Sequence, residues 1–166
     1  MSQAEFHEHE FPPVFDSESR ILILGSFPSV KSREVQFYYG HPQNRFWKLL
    51  AKLLGEEIPA DVPGKIDFLH RNHIALWDVI ESCEIVGSSD SSIKNVIPTD
   101  VGRILEQSSV ETIFANGAAA AKLFERYQKK TIGRDIIKLP STSPANAAWS
   151  LERLYQDWQP VAEALR

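Results

Sequence analysis

Between positions 25 and 47 the chain concentrates side chains suited to holding a flat polar ring. Gly25-Ser26-Phe27-Pro28-Ser29 follows an apolar run, Phe37-Tyr38-Tyr39 supplies three aromatic faces, and Gly40-His41-Pro42-Gln43-Asn44-Arg45-Phe46-Trp47 opens a helix. A flat ring stacked on an aromatic side chain is held by offset or edge-to-face packing. A carboxamide offers two donors and an acceptor in one plane. Asn44 also stands where a helix needs an N-cap, and losing such a cap costs ~1 kcal/mol; capping and chemistry are compatible in one side chain. A second polar loop, Pro140-Ser141-Thr142-Ser143-Pro144-Ala145-Asn146-Ala147, sets small hydroxyl residues between two prolines.

Elements must bring these loops together. Ile21-Leu22-Ile23-Leu24 is a continuous apolar run ending at glycine, the pattern of a strand covered on both faces. Phe46, Leu49, Leu50, Leu53 and Leu54 form a helical stripe closed by Gly55. Further strands are expected at residues 73–80, 112–115 and 135–139, and further helices through Phe68-Leu69, over 118–127 and over 150–165. Thr99 is expected to cap a helix carrying Val101, Ile104 and Leu105, and residues 87–92 to form an exposed turn. Strands alternating with helices predict an α/β fold of three layers, α/β/α, around a central, mainly parallel four-stranded sheet. Ligands of such sheets bind beyond the carboxyl ends of the strands. Both unusual loops fall at such ends.

At 166 residues, with 43% hydrophobic and 24% charged residues, the chain reads as one globular domain over residues 11–166 behind a flexible tail at 1–10. No apolar run approaches the ~20 residues that span a bilayer, and the amino terminus lacks the pattern of a secretory signal, so the expected setting is the cytoplasm and the expected state a monomer. Cys83 is the sole cysteine, which excludes an internal disulfide or a cysteine-ligated iron–sulfur cluster within one chain. His7 and His9 flank Glu8 but are read as parts of the polar tail, and no metal or other cofactor is expected. Neither GxGxxG nor GxxxxGK[ST] occurs, so a nucleotide cofactor has no support. A net charge of −4 runs against extensive phosphate contact but leaves room for a local basic rim from Lys31, Arg33, Arg45 and Lys48.

The order of these motifs resembles the uracil-DNA glycosylase superfamily. Tyr39-Gly40-His41-Pro42-Gln43-Asn44-Arg45-Phe46-Trp47 is similar to the aromatic, His-Pro and Asn-Arg-Phe-Trp series of its mismatch-specific branch. Where that branch sets Asn or Asp in the first motif to activate water, this chain has Phe27, which neither orients nor deprotonates water. That loss, with GSFPS, NRFW and PSTSPAN, is similar to the hypoxanthine-DNA glycosylase branch. The resemblance, spanning about residues 22–146, implies that Asn44 is tied to catalysis and that Tyr39 stacks on an extruded base. Gly25, Ser26, Phe27 and Phe37 would lie around that base. Ser141 and Ser143 would bond it where relatives carry a histidine, and Pro28, Ser29, Pro144, Ala145 and Asn146 would touch the DNA backbone. Trp77-Asp78 falls where relatives meet the base edge, although Asp78 by itself reads as a loop or capping residue. The implied activity is hydrolysis of the N-glycosidic bond of a deaminated base in DNA, hypoxanthine foremost. The alternatives are a uracil- or mismatch-directed enzyme of the same fold and a noncatalytic α/β module that binds a nucleotide or a protein.

Overall fold

The apolar run at positions 21–24 forms the strand expected of it, buried along its whole length. The computed structural model describes residues 3–166, arranged in chain order as β1 (Glu5–Glu8), β2 (Ile21–Gly25), α1 (Val30–Val35), α2 (Phe46–Leu54), α3 (Val62–Arg71) and β3 (Ile74–Asp78). Next come β4 (Ile80–Ile85), β5 (Lys94–Pro98), α4 (Val101–Gln107), β6 (Thr112–Asn116), α5 (Ala118–Tyr127) and α6 (Lys129–Ile132). β7 (Ile137–Leu139), α7 (Leu151–Asp157) and α8 (Gln159–Ala164) close the chain.

Four strands form a parallel sheet in the order β3-β2-β6-β7. Ile21 lies opposite Ile74 and Thr112, and Leu24 opposite Trp77 and Ala115, so apolar rows cross the sheet. Each fully buried Leu or Ile contributes about 1.5–3 kcal/mol, which is why the central strand carries four in succession. Parallel crossovers are right-handed. The chain steps from β2 to one side and then returns past it to β6, so connections of opposite sense put helices on opposite faces and build three layers. Strand order reverses at β2, and such a reversal opens a crevice at the carboxyl ends. Those ends are Gly25, Asp78, Asn116 and Leu139.

A second sheet, antiparallel and ordered β1-β4-β5, has no counterpart in the sequence reading. Residues 5–9, expected as part of a flexible tail, instead pair along β4, with Glu5 opposite Ile85 and Glu8 opposite Ser82. The His9 N–H extends the ladder to the Glu81 carbonyl at 2.7 Å. The side chains of β1 are mostly exposed, so its hydrophobic pattern is blank and backbone pairing holds it; Met1 and Ser2 lie outside the described residues. Residues 11–15 run extended as expected, and Val14 exchanges two backbone hydrogen bonds with Leu76 on the outer edge of β3.

Three further local expectations are corrected. Thr99 caps no helix; its buried hydroxyl donates to the carbonyls of Asp78 and Val79, and the Gln128 amide donates to those of Val79 and Thr99. The closing helix divides at Trp158, because Pro160 brings no N–H to continue the first ladder. Residues 30–35 add α1, capped by Ser29, whose Oγ accepts the Ser32 N–H at 3.1 Å.

Candidate active site

A cleft of about 120 Å³ opens where the parallel strands end, and Gly25, Asp78 and Asn116 line it from three adjacent strands. Gly25 is required there: a Cβ would collide with Asp78 Oδ1 and come within 3.2 Å of the Tyr39 hydroxyl. Ser26, Phe27, Pro28 and Ser29 continue the wall. Phe27 is buried, with the Arg33 guanidinium 5.8 Å above its ring. The hydrocarbon ring thus forms a wall and supplies no acid or base.

Tyr39 reaches the cleft through a left-handed backbone, φ 53°, a conformation costly for a non-glycine residue. Its neighbours hold it there. The Gly40 N–H donates to Ser32 Oγ at 2.9 Å, and Trp47 Nε1 donates to the Tyr38 carbonyl at 3.2 Å. Phe46 backs the Tyr39 ring with centroids 4.0 Å apart. The Tyr39 hydroxyl is buried and has no hydrogen-bond partner of ordinary geometry among the described residues. Burial, reinforced by the Asp78 charge, pushes its ionisation well above the ordinary tyrosine range, although Asn116 beside it pulls the other way. It therefore stays a neutral donor.

Asn44 lies half-buried one residue before the cap position of α2, and its Oδ1 accepts the Phe46 N–H at 2.9 Å. The helix start consumes the carbonyl end of the amide and leaves Nδ2 as the group available to the cleft. His41 has a turn role, its Nδ1 accepting the Gln43 N–H at 3.1 Å. Arg45 is no DNA-facing cation: its guanidinium donates to the carbonyls of Thr142, Ser143, Asn146 and Trp149, clamping the second loop onto α2. Lys31 pairs with Glu34, and Arg33 donates to the Gly87 carbonyl, so the expected basic rim is largely committed within the protein.

Asn116, expected as a turn former, is the second anchor of that loop. Its amide donates to Thr142 Oγ1 and accepts the Thr142 N–H, both at 3.0 Å, and Thr142 is fully buried. Trp158 adds a third anchor, its Nε1 donating to the Pro140 carbonyl at 2.9 Å. Ser141 and Ser143 are thereby presented to the cleft. Pro144, Ala145 and Asn146 stand outside it, Asn146 donating to the Ser141 carbonyl at 3.0 Å. Phe37 also stays outside, buried in an aromatic cluster and stacked on Trp47 at 6.1 Å.

Two carboxylates complete the lining. Asp78 is almost wholly buried on the floor and bonds His9 Nε2 through Oδ2 at 2.7 Å. His9 is itself enclosed, with rings of Phe11, Phe27 and Tyr38 around it. Burial pushes its pKa down, but the hydrogen bond and charge of Asp78, with Glu81 beside them, outweigh burial and leave it raised. Asp90 comes from the β4–β5 connection, where Oδ1 accepts the Ser26 hydroxyl at 2.8 Å. Burial raises the Asp90 carboxyl, Ser26 opposes the rise and the Asp78 charge adds to it. Residues 87–92 form an exposed turn as expected and also dock on the first loop; Ser88 Oγ accepts the Val30 N–H at 2.8 Å. Asp78 was placed near the base edge by resemblance alone, whereas nothing in the pattern of residues 87–92 marked Asp90.

Comparison with known proteins fits this arrangement. The uracil DNA glycosylase superfamily matches as a family over residues 12–165. A hypoxanthine DNA glycosylase of Methanosarcina acetivorans is 36% identical over 91% of this chain and 95% of its own length. Another protein of that name, from Methanosarcina barkeri, is 43% identical over 51% of this chain, and the match spans about half (54%) of that relative. The solution NMR structure of a candidate uracil DNA glycosylase from Methanosarcina acetivorans superposes with a TM-score of 0.82 at 34% identity, covering 97% of this chain and 99% of that one. On sequence and fold together, the chain belongs to the uracil DNA glycosylase superfamily.

Proposed function

We propose that this protein is a monofunctional DNA glycosylase that hydrolyses the N-glycosidic bond of a deaminated base, hypoxanthine in deoxyinosine foremost, as the first step of base excision repair. The observation that carries this reading is the Asp78 carboxylate on the cleft floor, paired with His9. A carboxylate only accepts hydrogen bonds. Hypoxanthine presents N1–H to it, where adenine presents a bare nitrogen. Guanine shares N1–H, and against it the discrimination lies in extrusion, which is cheapest for a mispaired base. The names carried by the Methanosarcina relatives favour the same substrate.

In this reading the extruded base stacks on Tyr39 between the wall of residues 25–27 and the second loop. Nδ2 of Asn44 holds either the attacking water or the base. An amide is a weak base, so its contribution is orientation and electrostatic stabilisation. Ser141 and Ser143 add hydrogen bonds, and Pro28, Ser29, Pro144, Ala145 and Asn146 meet the DNA backbone. Among the described residues no lysine lines the cleft, which supports a reaction without a Schiff base, whose product is an intact strand bearing an abasic site. The reading takes the chain as a cytoplasmic monomer that needs no metal or other cofactor.

The test is base release from duplexes carrying inosine, uracil, xanthine or only normal bases, including guanine paired with cytosine, in excess chelator. Release of hypoxanthine without strand cleavage is expected. Asn44→Ala should lower it by at least about 100-fold, the scale of losing one preorganised donor, at a stability cost of about 1 kcal/mol. Asn44→Ser keeps a usable cap, and unchanged excision in that variant overturns the role given to Asn44. Preferential release of uracil, whose N3–H also suits Asp78, would select the uracil-directed reading.

A further inference from the structure

We infer that Asp90 is the carboxylate that activates the attacking water, replacing from a different loop the group that Phe27 cannot supply. The inference rests on the glycosylase reading above. Hydrolysis at the sugar carbon develops positive charge there and requires a proton to leave water. Among the described residues the cleft lining is otherwise hydroxyls, amides, aromatic rings, a proline and backbone, and its carboxylates are those of Asp78 and Asp90. Asp78 is buried on the floor, its Oδ2 held by His9, where the inserted base lies. Asp90 belongs to an exposed segment at the rim. A nucleotide enters such a cleft base first and leaves its sugar at the mouth, so the rim carboxylate is the one near the sugar.

The anchoring suits the role. Ser26, directly before Phe27, donates to Asp90 Oδ1 at 2.8 Å, and Oδ2 has no hydrogen-bond partner among the described residues. Ser88 and the Gly87 carbonyl pin the same connection to α1 through Val30 and Arg33, at 2.8 and 2.7 Å. One oxygen is thus fixed and the other left for water. The residue keeps exposed surface, yet the packing around its carboxyl and the Asp78 charge raise it above its ordinary value, making it a stronger base than a freely solvated one. In the step, Oδ2 takes a proton from water as the water oxygen bonds to the deoxyribose carbon C1′. The bond from C1′ to the base nitrogen breaks, its electron pair leaves on the base, the base takes a proton from solvent, and Asp90 returns its own proton to solvent. One water is consumed, and a free base and an abasic site result.

The experiment is single-turnover excision by the full chain on whichever duplex of the panel the native protein cleaves, alongside duplex affinity and thermal midpoint. Native release of no base at all would defeat the glycosylase reading, a result distinct from any outcome for Asp90. For Asp90→Asn the expected result is a rate lowered by about 100-fold or more, the typical scale of a lost general base, with affinity and midpoint close to native. Asp90→Ala should regain at least tenfold in rate on addition of formate, a diffusible carboxylate, whereas Asn44→Ala should not respond. A rate for Asp90→Asn within threefold of native, a loss explained by weaker DNA binding or a lower midpoint, or no formate response in Asp90→Ala would each overturn the inference.

Discussion

The parallel and antiparallel sheets meet at one cleft and bring it different things. The parallel sheet delivers fixed positions: Gly25, Asp78 and Asn116 end adjacent buried strands, and the loop after β7 is bound back to Asn116 and Arg45. The antiparallel sheet delivers charge control. Its first strand leads directly into His9 beneath Asp78, and the connection between its other two carries Asp90 to the rim. In the proposed reading the larger sheet fixes where a base sits and supplies Asp78, and the smaller one adds His9 beneath that carboxylate and Asp90 at the rim. Parallel strands suit the first task because they are sealed on both faces and cannot slip without exposing whole rows of apolar side chains. A small sheet whose outer strands β1 and β5 are largely exposed suits the second, since those strands, unlike the buried β4 between them, are not committed to filling a core.

Breaking the smaller sheet's contribution at its most buried point has the largest expected effect. His9→Leu leaves the Asp78 carboxylate on the cleft floor without its partner, and removing one member of a buried pair costs about 3–5 kcal/mol. Because the folded-state pKa of His9 is raised above its ordinary 6.5, the folded protein binds the proton more tightly than the unfolded chain. The ionic part of the pair's stabilisation is thus fully present below pH 6.5 and fades as the pH rises through the folded value. Urea melts of native protein and variant across this range should show a stability gap that narrows as pH rises. A gap that widens with pH would contradict the assigned pairing.

The same contrast explains what could be read from the sequence. β2 and α2 were legible because burial imposes a pattern: four apolar residues in a row, or a stripe at helical spacing ending in Gly55. The placement of Tyr39, Asn44 and Ser143 at the cleft was legible because they follow strands or precede a helix in the order of a family's motifs, and Ser141 because it stands where that family carries a histidine. β1 was not, since Glu5, Phe6 and Glu8 are exposed and its pairing uses backbone alone. Asp90 was hidden for a related reason. Asp and Ser favour turns in any protein, and only the pairing of β4 with β5 folds residues 87–92 against the first loop. Arg45 carries the converse lesson, since the motif located it correctly and its charge suggested DNA, while four carbonyls of the second loop claim its donors.

The larger sheet's counterpart is Gly25→Ala. The new methyl group must displace Asp78 Oδ1, and Asp78 is not free to retreat because His9 holds its other oxygen. Overpacking of this kind costs about 1–3 kcal/mol, below the expected loss for His9→Leu. Excision should fall further than stability does, since the displaced group is the one facing the base edge. Combining the two changes tests the coupling: in the His9→Leu background Asp78 can move, so the added cost of Gly25→Ala should be smaller than in the native background. Strict additivity of the two melting shifts would show that the sheets do not meet through Asp78.

The smallest expected effect on stability lies at the junction itself. Ser26 begins the loop that follows β2 and holds Asp90 of the antiparallel connection through a single exposed hydroxyl bond. Ser26→Ala should change the thermal midpoint little, because Ser88 and Arg33 still pin the connection and a single hydrogen bond contributes about 0.5–1.5 kcal/mol. Excision should nevertheless slow by about tenfold, the rate equivalent of roughly 1.4 kcal/mol, since an Asp90 carboxylate free to rotate no longer keeps one oxygen aimed at water. Ser26→Thr retains the hydroxyl and should recover most of that rate. A native rate in Ser26→Ala would mean that the backbone anchors alone orient Asp90, and the link between the sheets would then run through α1 rather than through the end of β2.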